Sequence, residues 1–201
     1  MTDFKQLAEQ YKSELLDKVI PFWLEKSQDK EFGGYFTCLD RDGSVYDTDK
    51  FIWLQGREVW MFATLYNKVE KRQEWLDCAI QGAEFLKKYG HDGNLNWYFS
   101  LDREGNPLVE PYNIFSYTFA VIAFGQLSIA TGNAEYADIA KRTFDIVLSK
   151  VDNPKGKWNK AAACPAAEVV CTTHDFVQRC TRNRTPVSYT HLRAHETRSN
   201  L

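Results

Sequence analysis

The stretch Phe115-Ser-Tyr-Thr-Phe-Ala-Val-Ile-Ala-Phe-Gly-Gln-Leu-Ser-Ile129 contains no charged residue. It predicts a helix from about Ile114 to Ala130, and a helix that is apolar all round must be covered on all sides. A second helix of this kind is predicted from Lys50 to Val69. It carries Phe51, Trp53, Leu54, Val59, Trp60, Phe62, Leu65 and Tyr66 around most of its circumference. The helices that follow them differ. From Arg72 to Tyr89, Trp75, Leu76, Ala79, Ala83 and Leu86 fall on one side, and Glu74, Asp77, Gln81, Glu84 and Lys88 on the other. From Ala134 to Val151, Tyr136, Ile139, Phe144 and Val147 oppose Glu135, Asp138, Lys141, Arg142 and Asp145. Each of these has one wet face. Alternation of covered and half-exposed helices is what a two-layered ring of α-hairpins requires.

Working outward, Thr2 or Asp3 can cap a first helix with Phe4, Leu7, Tyr11, Leu15, Val19 and Trp23 at helical spacing, bent or broken at Pro21. Gly90 and Gly132 are candidate helix stops, and Asn133 a candidate cap. An internal repeat sits between the helices. Tyr35-Phe-Thr-Cys-Leu-Asp-Arg-Asp-Gly-Ser44 is echoed by Tyr98-Phe-Ser-Leu-Asp-Arg-Glu-Gly-Asn106. Each predicts a short β-hairpin whose Gly43 or Gly105 supplies a positive φ. Asp40-Arg-Asp-Gly43 is not a calcium loop, because the sixth-position glycine and twelfth-position glutamate are missing.

With 201 residues, 44% of them hydrophobic, and a net charge of −2, the chain reads as an ordinary globular one. No basic block recommends nucleic acid or an acidic membrane as partner, and no apolar run is long enough to span a bilayer. The N-terminus has no signal-peptide core, so a cytoplasmic protein is expected. The five cysteines form no even, patterned set, which favours free thiols.

Character changes near Lys160. Every lysine and all six tryptophans lie at or before it. Val187-Ser-Tyr-Thr-His-Leu-Arg-Ala-His-Glu-Thr197 resembles one translated frame of a transposase-based sequencing adapter, so residues 187–201 are read as foreign. Residues 161–186 are read as frameshifted or chimeric, and the C-terminal tail is expected to be disordered. Cys164, Cys171, His174 and Cys180 fit no paired metal-ligand spacing, so no metal is expected.

Gly33-Gly-Tyr-Phe-Thr-Cys-Leu-Asp-Arg-Asp-Gly-Ser-Val-Tyr46 and Trp53-Leu-Gln-Gly-Arg-Glu-Val-Trp-Met61 resemble the N-acylglucosamine 2-epimerase family. Tyr112-Asn-Ile-Phe-Ser116 and Asp152-Asn-Pro-Lys-Gly-Lys-Trp-Asn-Lys160 extend the likeness to essentially all of residues 1–160. The resemblance implies an all-α fold: part of an (α/α)6 barrel, here about five helices with two short β-hairpins, and a sugar pocket at one end. It also implies that Arg57 lines that pocket and is needed for activity, with Trp53 nearby and Phe115 and Ser116 among the pocket residues. Arg57 in an apolar inner helix needs an acceptor, either sugar oxygens or an acid such as Glu58. Core packing is the alternative for Trp53, Phe115 and Ser116. Lys155, Gly156, Lys157 and Lys160 match a segment linked in the family to ATP, an activator that is not consumed; a solvated lysine loop is the alternative. No other cofactor is implied.

The expected reaction is exchange of N-acetylglucosamine with N-acetylmannosamine by removal and return of the C2 proton, in an intact parent that is a homodimer. The family uses two histidines on later helices for this, and His91 matches neither. The 201-residue chain is therefore expected to be inactive and to aggregate. A cellobiose 2-epimerase, an aldose–ketose isomerase, or a non-catalytic sugar- or protein-binding scaffold are the competing possibilities.

Overall fold

The structure, a computed structural model, describes residues 3–111 and 114–150. Helix α1 (Phe4–Ser13) is capped by Asp3, whose carboxylate accepts hydrogen bonds from the backbone N–H groups of Lys5 and Gln6. The chain widens into a π-helical turn at Glu14–Val19 and returns to α2 (Ile20–Lys26). The break foreseen at Pro21 takes this form. Proline has no N–H for the carbonyl four residues back, and its ring crowds that carbonyl. Phe4, Tyr11, Leu15 and Val19 of this first segment are exposed.

Strands β1 (Cys38–Leu39) and β2 (Val45–Asp47) form one hairpin, and β4 (Ser100–Leu101) and β5 (Pro107–Val109) the other. The repeat holds at the level of single hydrogen bonds. Gly43 N donates to Asp40 O and Asp40 N to Ser44 O, as Gly105 N donates to Asp102 O and Asp102 N to Asn106 O. Gly43 and Gly105 have φ of 86° and 101°. A strand that the pattern does not announce, β3 (Lys50–Phe51), pairs antiparallel with β4 and gives a sheet of order β3-β4-β5.

Four long helices follow the predicted order: α3 (Ile52–Lys68), α4 (Gln73–Tyr89), α5 (Phe115–Thr131) and α6 (Ala134–Ser149). α3 packs against α4 and α5, and α6 packs on α5. Among these helices the core includes Phe62, Trp75, Leu86, Phe124, Leu127 and Tyr136. Asn133 caps α6 by accepting from Glu135 N, and Gly132 ends α5 at φ 70°. Gly90 also ends its helix but in a right-handed conformation. A Cβ there would lie 2.6 Å from the Leu86 carbonyl oxygen, so crowding, not φ, excludes a side chain.

Two expectations are corrected. Phe144 is exposed, and Thr143 takes the buried position and accepts from Trp97 Nε1 at 3.2 Å. A buried indole N–H needs an acceptor, which threonine supplies and phenylalanine cannot. The inner helices are also not covered on every side by the described residues. α5 exposes Phe115, Ile122 and Ile129, one stripe at seven-residue intervals, and α3 exposes Arg57 beside half-buried Trp53, Leu54, Trp60 and Met61. Arg57 is thus not the buried cation foreseen, because the described neighbours of α3 flank it without closing over this face. Among the described residues no helix is long and apolar enough to cross a membrane. The boundaries assigned to residues 161–186 and 187–201, and the tail expected to be disordered, lie outside the described residues.

Candidate functional site

The Gly33-Gly34 turn sets the position of everything around Arg57. Both glycines have positive φ, and a Cβ on Gly34 would lie 2.8 Å from Gln55 Oε1 and 2.9 Å from the Phe85 ring. The bare turn lets Gln55 of α3 reach the next residue, where its amide accepts from Tyr35 N and donates to Tyr35 O, both at 2.8 Å. The Tyr35 hydroxyl donates to Cys78 O of α4 at 2.7 Å. Tyr35 is thereby fixed, and with it the backbone that carries Thr37.

Beneath the turn lies a buried charge cluster that nothing in the sequence pattern reveals. Lys50 is fully buried and donates to Asp29 Oδ2 (3.0 Å), Gly33 O (2.6 Å) and Arg103 O (2.7 Å). Arg103 donates to both Asp29 oxygens and to Glu31. Burial alone would raise the Asp29 carboxyl, but hydrogen bonds from Arg103 and Lys50 outweigh it and hold the group below its usual range. The cluster is saturated with internal partners and ties the first hairpin region to the second; it is structural.

Above it, α2, the first hairpin region and α3 border an open cavity of about 330 Å³ lined by Trp23, Thr37, Leu54, Arg57, Glu58, Trp60 and Met61. Among the described residues Arg57 makes no ion pair. The alternative of an Arg57–Glu58 pair is not what the geometry holds, because Glu58 turns to Ser27 instead. Ser27 Oγ lies 2.6 Å from Trp23 O and also within hydrogen-bond distance of Glu58 Oε1. Burial pushes the Glu58 carboxyl up to about 8. Thr37 Oγ1 is buried and has no hydrogen-bond partner among the described residues, a cost that a ligand's polar group would relieve. A cation, two indoles and an unsatisfied hydroxyl on one wall suit a polyhydroxylated ring. A second cavity of about 320 Å³, between α2 and α4, is lined by Arg72, Glu74 and Trp75 among others and has no comparable buried polar group.

The other foreseen site residues lie elsewhere. Trp53 is half-buried with its ring 5.9 Å from that of Phe119, at the seam where a Cβ on Gly56 would lie 3.1 Å from the Phe119 backbone. Phe115 is exposed at the start of α5, and Ser116 is buried. Neither Trp53, Phe115 nor Ser116 lines the Arg57 cavity. Lys155, Gly156, Lys157 and Lys160 lie outside the described residues. His91 stacks edge-on against Trp97 and accepts from Gly93 N, away from the cavity. Gln55, Thr37 and Trp23 were not singled out from the sequence. Only Gln55 carried a signal, as a polar residue on an apolar helix.

The family model described as N-acylglucosamine 2-epimerase (GlcNAc 2-epimerase) matches residues 34–168. The chain is 43% identical over 159 residues to N-acylglucosamine 2-epimerase from Bos taurus, which covers 76% of this chain and 38% of that protein. It is 28% identical over 167 residues to cellobiose 2-epimerase from Dictyoglomus turgidum, covering 78% of this chain and 42% of that one. The solved structure of cellobiose 2-epimerase from Bacillus thermoamylovorans superposes with a TM-score of 0.66 at 27% identity, covering 73% of this chain and 38% of that chain. The chain therefore spans about two fifths of the length of these relatives. Its described helices are part of an (α/α)6 barrel.

Proposed function

Because the chain belongs to the N-acylglucosamine 2-epimerase family, we propose that the protein it comes from interconverts N-acetylglucosamine and N-acetylmannosamine in the cytoplasm, with Arg57 in the sugar site. The carrying observation is the Arg57 cavity, where a guanidinium without an ion-pair partner among the described residues meets two indoles and the unsatisfied Thr37 hydroxyl. Epimerisation at C2 requires the open-chain sugar and loss of the C2 proton beside the carbonyl. Negative charge then develops on the carbonyl oxygen, and a guanidinium donor stabilises it. The proton returns from the opposite face, an exchange suited to two imidazoles with pKa values near the working pH.

Those imidazoles belong to later helices of the parent, so the 201-residue chain is inactive by itself. Trp53, Phe115 and Ser116 are part of the same proposal, as further sugar contacts at the α3–α5 seam. So are a homodimeric parent and ATP as an activator that is not consumed, held by Lys155, Gly156, Lys157 and Lys160.

Purified intact parent should interconvert the two amino sugars and, in D2O, incorporate deuterium at C2. Turnover of cellobiose with none of N-acetylglucosamine would overturn the substrate. No C2 exchange with either sugar would overturn the epimerase, and epimerase activity in the 201-residue chain would overturn its assignment as inactive.

A further inference from the structure

The hydroxyl of Ser27 has one proton and two oxygen neighbours. Trp23 O lies 2.6 Å from Ser27 Oγ, and Glu58 Oε1 is also within hydrogen-bond distance. Oxygens this close repel one another unless a proton lies between them. A carbonyl oxygen can only accept, so the Ser27 proton satisfies the Trp23 contact, and the proton of the second contact comes from Glu58. Ser27 is fully buried and Glu58 nearly so, which leaves water no room to take over either contact. The titratable groups facing Glu58 from its neighbours are the Tyr35 phenol and the Cys78 thiol of α4, and burial holds both in their neutral forms. Arg57, on the same helix, is the one cation among the described residues of the cavity wall.

We infer that Ser27 holds Glu58 as a neutral carboxylic acid, and that Glu58 in this form sets the charge of the Arg57 cavity, leaving the guanidinium free for an electron-rich oxygen of the ligand. This rests on the Arg57 cavity being the sugar site proposed above. An ionised Glu58 would share a wall with Arg57, and opposite charges on adjacent residues attract even where the cation is exposed. It would draw the guanidinium to itself and compete with the developing oxyanion. A neutral Glu58 offers no such competition. It is a positioning residue, acting on the reaction through Arg57. The group ionises in mildly alkaline solution, with a midpoint of about 8.

The proton can be observed directly. In infrared difference spectra of the 201-residue chain against its Glu58→Gln variant, a carboxylic-acid carbonyl band should be present at neutral pH and disappear with a midpoint near 8. A carboxylate signal alone at neutral pH would overturn the inference. In the intact parent, kcat/KM for N-acetylglucosamine should fall about tenfold per pH unit above that midpoint, and Glu58→Gln should move the fall to higher pH. An alkaline limb unchanged in Glu58→Gln would also overturn it. A parent with the acid band but no epimerase activity would refute the sugar-site reading and leave the proton assignment to Glu58 intact.

Discussion

Gln55 grips the backbone of Tyr35 at both of its polar groups, accepting from the N–H and donating to the carbonyl, each at 2.8 Å. Both residues are fully buried, so neither backbone group has water to fall back on. Gln55→Leu should cost roughly 2–6 kcal/mol, since each of the two buried polar groups left unpaired costs about 1–3 kcal/mol. Gln55→Glu keeps the acceptor for Tyr35 N–H but sets a carboxylate oxygen against the Tyr35 carbonyl. Its loss should shrink in acid, where the new carboxyl is protonated and can donate. Urea denaturation of the three chains at neutral and acidic pH measures both effects, and equal midpoints would remove the clamp as a stabilising feature.

The Glu58 proton has a stability consequence separate from any activity. Its folded pKa of about 8 lies above the ordinary value of 4.5, so between those values the folded chain keeps a proton that the unfolded chain has lost. The contribution is full below 4.5, declines through the window, and is gone once pH passes the folded value. Each tenfold difference in proton affinity between the folded and unfolded chain is worth about 1.4 kcal/mol, which makes the whole contribution on the order of 5 kcal/mol. Asp29 acts with the opposite sign at the acid end. Its folded pKa is lowered, so its contribution is present above its ordinary value of 3.8 and lost as pH falls through the folded one. Wild type should therefore lose stability relative to Glu58→Gln between pH 5 and 8, and a constant difference across that range would contradict the raised Glu58 pKa.

Two glycines in neighbouring elements should respond oppositely to alanine. At Gly82 a Cβ would lie 2.2 Å from the Tyr35 hydroxyl, which is held by Cys78 O and cannot retreat. Gly82→Ala should cost about 3 kcal/mol or more, at the upper end of overpacking. At Gly125, within α5, nothing lies within 4 Å of the added carbon. Gly125→Ala should be neutral or gain up to ~1 kcal/mol through helix propensity. Thermal midpoints moving in the same direction for both variants would refute this contrast.

What could be read in advance followed from local pattern. α4 keeps Trp75, Leu76, Ala79, Ala83 and Leu86 buried as their spacing predicts, and the Asp-Arg-Asp/Glu-Gly turns form as their glycines require. In α6 the same pattern logic chose Phe144 over Thr143, because the deciding factor was an indole N–H more than forty positions away. β3 and the Lys50–Asp29–Arg103 cluster were illegible for a related reason. Their partners meet only after both hairpins have packed, and no periodicity encodes that meeting. At the site, Arg57 stood out as the charge in a greasy helix. The wall it shares with Trp23 and Thr37 comes from segments whose own spacing says nothing about a cavity.

Arg57 itself gives the most direct test of the site. It is exposed and makes no ion pair among the described residues, so removing its guanidinium should leave folding nearly untouched, within about 0.5 kcal/mol. Lysine preserves the charge and most of the reach but replaces a planar fork of five donors with a compact ammonium. If the guanidinium holds the oxygen on which charge develops, Arg57→Lys in the intact parent should lower kcat/KM by about 10²–10³-fold, the scale for losing an oriented oxyanion donor. Most of that loss should appear in kcat, because the interaction strengthens as the charge forms. Arg57→Lys that retains wild-type kcat/KM would remove Arg57 from the chemistry. A large drop in stability would instead make it a structural residue, since an arginine serving only the ligand has nothing in the fold to lose.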